Sequence, residues 1–183
     1  MTANDLKKFL AFGTGVGIEI GDDDLRVVIA RVRPAGATVL GWTTIAGFRQ
    51  RPASEWGAEY VEFLHQHGAG YLAALALLPR RGVIVRHLNF PGVAGKDLGA
   101  AIGFQIDSLH PFGEGEAQHA WAKLSGTSDI LIGIARRDAI ERYAELFSEA
   151  GVKVASISFS AAVLYSGLRL FGSAPGGGVL AFA

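Results

Sequence analysis

The chain contains no cysteine. That absence removes thiolate nucleophiles, disulfide frameworks and cysteine-based zinc sites together, and it fits a reducing compartment. An excess of charge of either sign is missing too, since 17 Lys and Arg balance 17 Asp and Glu over 183 residues. No overall basic field recruits nucleic acid or an anionic membrane, and the arginines cluster only as the pairs Arg80–Arg81 and Arg136–Arg137. Long hydrophobic runs are also absent. A spanning helix needs about 20 apolar residues, and YLAALALL, beginning at Tyr71, falls far short. The N-terminal DLKKFLAFGTGVGIEIG places two lysines before an apolar run, but its glycines and Glu19 break that run, so it is not a signal peptide. Apolar residues make up 50% of the chain and charged ones 19%, which excludes disorder and leaves room for one large domain or two small ones. The expectation is a soluble, cytoplasmic protein, with attachment to a membrane partner left open.

What is present is a succession of short apolar segments. Val16–Ile20, Leu25–Val32 and Thr38–Ala46 read as a three-stranded meander, with apolar residues on both parities that predict strands buried from two sides. Ser54 reads as the N-cap of a helix whose Trp56, Tyr60, Val61, Phe63 and Leu64 share one broad face, ending at Gly68. Strands are expected at Tyr71–Leu78 and Gly82–Phe90, the second stopping at Pro91-Gly92. Lys96–Leu109 carries an amphipathic stripe of Leu98, Ala101, Ile102, Ile106 and Leu109, ended by His110-Pro111 because the residue before proline avoids the helical region. Ala117–Leu124 and Asp129–Ala135 follow as strands. Asp138 is expected to cap a helix with Ile140, Tyr143, Ala144 and Phe147 facing inward and Gly151 closing it. Val152–Ser158 is a further strand and Ser160–Leu170 a helix. GSAPGGG then reads as a flexible linker before VLAFA, the start of a strand belonging to a second half.

The order and spacing of these segments resemble the actin-like ATPase superfamily, and within it the PilM-type proteins of type IV pilus assembly. FtsA and the cytoplasmic part of type II secretion platform proteins are its relatives. VGIEIG followed by DLRVVIARV is similar to the family's opening hairpin. GVIVRHLNFPGV with DLGAAIGFQIDSLHPF is similar to its strand, proline turn and helix ending in an aromatic-flanked motif. SDILIGIARRDAIERYAELFSEAGVKVASISFSAAVL is similar to its closing strand–helix–strand block. The resemblance runs from about residue 9 to 183 and implies an α/β fold, the ribonuclease-H-like N-terminal part of an actin-like ATPase with an inserted α+β subdomain. It divides the chain into a first part at 1–81, an inserted subdomain at 82–150, a return at 151–172, and a linker with the start of a second half at 173–183.

The turn GIEIGDDDL is where this superfamily holds phosphate and magnesium. The family's aspartate corresponds to Glu19, its glycine to Gly21, and its hydrogen-bond donors to Asp22 and Asp23. An ionised carboxylate accepts hydrogen bonds and donates none. One placed about 4 Å from a phosphate oxygen costs roughly 1 kcal/mol in water and about 4 near a protein surface. Several such terms consume most of the roughly 8 kcal/mol of a micromolar nucleotide. Glu19, Gly21, Asp22 and Asp23 therefore read as a vestigial phosphate turn, with no cofactor expected and ATP with magnesium possible only in a complete protein. Gly and Asp also favour a plain solvated hairpin turn, and a divalent-cation site on the four acids Glu19 and Asp22–Asp24 stands as the sharper alternative.

No catalytic group emerges. His65 and His67 lie two apart on a helix, point to different faces, and read as solvated residues suiting its C-terminal dipole. His87, His110 and His119 read as isolated, Asn89 as a turn residue, and Ser156, Ser158 and Ser160 lack a GxSxG elbow. The functional signal is therefore surface. The resemblance implies a groove between inserted and main subdomains that receives the cytoplasmic tail of an inner-membrane PilN-like protein. Arg86, Phe90, Pro91, Leu109, Pro111 and Phe112 are the candidate contacts, while Leu109 and Phe112 on an apolar helix stripe also read as ordinary core. Other platform components or self-association complete the expected partners, with nucleic acid excluded. Lys7, Lys8, Phe9 and Leu10 offer too little charge for membrane anchoring. Two functions remain open, a non-catalytic docking scaffold and an ATP-dependent assembly protein completed by a second half.

Overall fold

The computed structural model describes residues 12–124 and 128–171. The expectations for Lys7–Leu10 and for the linker and strand after residue 172 lie outside the described residues. Strands β1 (Gly13–Ile20), β2 (Asp24–Arg33) and β3 (Gly36–Ala46) form the expected antiparallel meander. Helix α1 (Ala53–Gln66) leads to β4 (Ala74–Leu78), which pairs parallel with β1 and, on its other side, with β8 (Val154–Phe159). The sheet order is β3-β2-β1-β4-β8. A second sheet, ordered β5-β7-β6, is built from β5 (Val83–Asn89), β6 (Ala117–Lys123) and β7 (Asp129–Arg136). Helix α2 (Leu98–Gln105) belongs to it, while α3 (Arg137–Glu149) and α4 (Ser160–Phe171) flank β8 in the chain.

Alternation along the strands decides which face is core. Val16, Ile18 and Ile20 on β1, with Leu25, Val27 and Ile29 on β2, are buried against Trp56, Tyr60, Phe63 and Leu64 of α1 and Phe147 of α3. Trp56 sits edge-on between Phe48 (6.1 Å) and Phe147 (6.2 Å), the offset geometry that aromatic quadrupoles favour. The opposite face is not buried alike: Gly15 and Glu19 are exposed, and Val28 and Ala30 only half-buried. The sequence expectation of strands buried from two sides thus holds for one face. Apolar residues on both parities of β2 cannot themselves say whether a second layer covers them.

The ends of the helices correct several boundaries. Pro52, with φ fixed at −53°, precedes α1, so Ser54 lies inside the helix and is not its cap. Both α1 and α3 end as Schellman motifs. Gly68 (φ +64°) and Gly151 (φ +71°) take the left-handed position, and the following N–H groups of Ala69 and Val152 return to Leu64 and Phe147 at 2.8 Å. A turn over Ala69–Leu72 leaves Tyr71 exposed and delays β4 to Ala74. The stripe from Leu98 to Leu109 is a short α-helix followed by a 3₁₀ turn over Ile106–Ser108, tightened before His110-Pro111. Asp138 lies in the first turn of α3 rather than capping it, pairing with Arg136 and Arg142 at 3.0 Å each. Of the four residues expected to face inward there, Phe147 is buried, Ile140 and Tyr143 are half-buried and Ala144 is exposed.

The smaller sheet has its own core of Phe90, Leu98, Ile102, Ile130, Ile132 and Ile134. Helix α3, placed by the sequence boundary at residue 150 with the inserted unit, buries Phe147 and Ala150 in the larger core.

Candidate functional site

The β1–β2 turn is held from three directions. Gly21 N–H donates to the Asp24 carbonyl at 2.8 Å, and Gly47 N–H to the Asp23 carbonyl at 2.8 Å. Arg49 Nε donates to the Asp22 carbonyl at 2.7 Å while its Nη2 donates to Tyr143 Oη at 2.8 Å, tying the turn to α3. Gln50 Nε2 donates to Asp23 Oδ1 at 2.8 Å. Arg26 lies between Glu19 and Asp24, 3.2 Å from each carboxylate, and Asp24 and then Glu19 hold its guanidinium above the ordinary arginine range. A Cβ on Gly21 would lie 2.0 Å from Asp24 Oδ1 and 2.9 Å from its carbonyl oxygen, so this close approach requires glycine. The turn presents acceptors outward and has committed the Gly21 N–H internally. Among the described residues no group of three or more His, Cys, Asp or Glu side chains is placed to hold a metal ion.

His65 and His67 are exposed, as expected of solvated residues, but His67 has local partners: its Nδ1 lies 2.8 Å from the Phe63 carbonyl and its ring lies against Gly41. His87 is beside Asp129 at 3.2 Å rather than isolated, and Asn89 ends β5 donating to Asp129 and Ser128. The His110 side chain is buried, stacks on Phe112 and accepts the Phe112 N–H through Nδ1.

A second feature lies where the two sheets meet. On β5, Ile84 and Leu88 pack on the small core, so Val83 and Val85 face the other way. They border an open apolar groove of about 590 Å³ whose far wall is Phe159 and the Ala161, Leu164, Tyr165 and Leu168 stripe of α4, with Arg80 at the rim. β5 is an edge strand of its sheet, paired with β7. Gly133, opposite Val85 on β7, gives the Phe159 ring its place, since a Cβ there would lie 2.2 Å from Phe159 Cε1.

None of the six sequence-named contact residues borders this groove. Phe90 is 7% exposed in the small core, and Leu109 and Phe112 pack against that core. Arg86, Pro91 and Pro111 are exposed outside it. The groove's own residues carried a signal in the sequence: Val83 and Val85 alternate away from the core stripe, and Ala161, Leu164, Tyr165 and Leu168 repeat at helical spacing.

No family model matches the chain, and no curated protein matches it. Solved structures do match, and the fold they define is of the actin-like ATPase class. One is the PilM–PilN type IV pilus biogenesis complex, with TM-score 0.66 and 21% identity over 82% of this chain. Another is the cytoplasmic domain of EpsL, an inner-membrane component of the Vibrio cholerae type II secretion system, with TM-score 0.57 and 11% identity over 80% of this chain. The likeness is one of fold, and the chain spans 49% and 57% of the lengths of those two structures. Among the described residues no helix is long and apolar enough to cross a membrane.

Proposed function

We propose that the chain is a non-catalytic scaffold of a type IV pilus or type II secretion inner-membrane platform, docking the cytoplasmic tail of a PilN-like inner-membrane protein. The apolar groove between β5 and α4 carries this reading. An extended segment can pair with the β5 edge while its alternate side chains enter between Val85 and Leu164. The fold likeness to a PilM–PilN complex and to EpsL supports that assignment, and the protein works in the cytoplasm at the inner membrane through that partner. The β1–β2 turn is a degenerate phosphate turn. Its residues do not fit a magnesium–triphosphate: Asp22 and Asp23 stand where donors are needed, Gly21 N–H is bonded to Asp24, and Glu19 is paired with Arg26.

The test is titration calorimetry of the full-length protein with a synthetic tail peptide of the PilN-like partner, beside magnesium–ATP. Binding of the tail, lost in Val85→Glu and in Leu164→Glu with the fold intact by circular dichroism, supports the scaffold. Tight magnesium–ATP binding that Gly21→Arg abolishes would overturn it in favour of an ATP-dependent assembly protein.

A further inference from the structure

Strand β3 is an edge of the five-stranded sheet, and it lacks the usual protection of an edge. Its 11 residues, GATVLGWTTIA, include no charged side chain and no proline. Sheet edges are ordinarily blunted by lysines, prolines, short length or bulges, because a bare row of backbone donors and acceptors pairs with whatever strand it meets. Here only a bulge is present. Val39 pairs with Ala30 and Gly41 with Ile29, which leaves Leu40 as the extra residue. That insertion brings Val39 and Trp42, three apart, onto one face, where they are 60% and 74% exposed.

We propose that β3 is a self-association edge, at which two copies of this chain pair β3 to β3 antiparallel and extend one sheet through both. The sequence of the strand is complementary to itself in one register. With Leu40 of one copy opposite Gly41 of the other, Val39 meets Trp42 and Thr38 meets Thr43, each pair occurring twice by symmetry. Aromatic–β-branched and Thr–Thr pairs are among the favourable cross-strand combinations, and no like charges face one another. The ends of the edge are complementary as well. Arg31 and Arg33 lie beside the start of β3, and Asp22 and Asp23 precede Asp24, which pairs with the strand's last residue, Ala46. The antiparallel arrangement sets the basic end of each copy near the acidic end of the other. A chain of zero formal net charge adds no overall repulsion between copies. The pairing is isologous and closed, so it yields a dimer rather than a fibre.

The test uses sedimentation equilibrium and cysteine cross-linking on the full chain. The wild type should move from monomer to dimer with concentration, and Val39→Lys should weaken the dimer at least about tenfold, since it sets lysine against tryptophan at both ends of the pair. An unchanged thermal midpoint in that variant confirms that an exposed position was altered without harm to the fold. Because the protein has no cysteine, Val39→Cys and Trp42→Cys can be prepared separately, and a disulfide-linked dimer should form chiefly when the two are mixed. A monomer at every concentration, a dimer indifferent to Val39→Lys, or equal cross-linking of either variant alone would each overturn the proposal. Tail binding at the β5 groove should persist in Val39→Lys, so failure of one reading leaves the other standing.

Discussion

Gly57 lies inside α1, where glycine is a poor helix residue, and replacing it with alanine ought to stabilise the helix by about 1 kcal/mol. The tertiary contact reverses the sign. A Cβ at Gly57 would fall 2.1 Å from the Ala150 carbonyl oxygen, 2.8 Å from its carbonyl carbon and 3.0 Å from its Cα. All three atoms are backbone at the end of α3, pinned by Ala150 N–H to Leu146 and by the Schellman bonds of Gly151 and Val152. No side chain can swing aside. The helices must separate by about 1 Å to restore van der Waals distance, and separation loosens the Phe147 ring that packs edge-on against Trp56. Overpacking of this kind costs about 1–3 kcal/mol. The contact is rigid, so we set the cost at the upper end and subtract the helix gain. Gly57→Ala is then expected to lose about 2 kcal/mol net, which for a domain of this size lowers the thermal midpoint by about 4–8 °C. Gly103→Ala on α2 is the control, because nothing lies within 4 Å of its Cβ position and only the propensity gain remains. Equilibrium urea unfolding of both variants should shift the midpoints in opposite directions. A Gly57→Ala protein as stable as the wild type would refute the reasoning.

Three further outcomes follow from contacts described above. Tyr60 is buried with no partner for its hydroxyl among the described residues, and burial pushes its pKa up from 10.0 to about 12. A raised folded-state pKa gives stability that is complete below pH 10 and is lost as the pH rises towards about 12, so Tyr60→Phe should be at least as stable and should flatten that alkaline loss in pH-dependent unfolding. Arg49→Ala removes the bonds to the Asp22 carbonyl and Tyr143. At about 0.5–1.5 kcal/mol for each bond, it should lower stability by about 1–3 kcal/mol and speed hydrogen exchange in the β1–β2 turn. Phe90→Ala should lower stability by about 3–5 kcal/mol, visible as a reduced urea midpoint. At temperatures where it stays folded, tail binding should be retained, because Phe90 belongs to the small core and not to the groove wall.

The amino-acid sequence by itself determined the local structure. Short apolar runs at Val16–Ile20 and Leu25–Val32 marked the strands, Gly68 and Gly151 marked the ends of two helices, and proline marked the stop after Leu109. These are short-range constraints of backbone dihedrals and periodicity, written within a few neighbouring residues. The candidate turn was legible for the same reason, since Glu19, Gly21, Asp22 and Asp23 are contiguous in the chain. Its charge pairing was less so: Arg26 between Glu19 and Asp24 depends on the register of the hairpin, and Arg49 on Tyr143 joins positions 94 residues apart. An apolar stripe states that a face is to be covered but not by what. Leu109 and Phe112 therefore read as groove wall or as core until packing placed them against the small core, which also took in Phe90, read from the sequence as wall alone. The same physics placed the groove at Val83, Val85 and Leu164, left the β3 edge bare, and set Gly57 against a carbonyl that no local pattern announces.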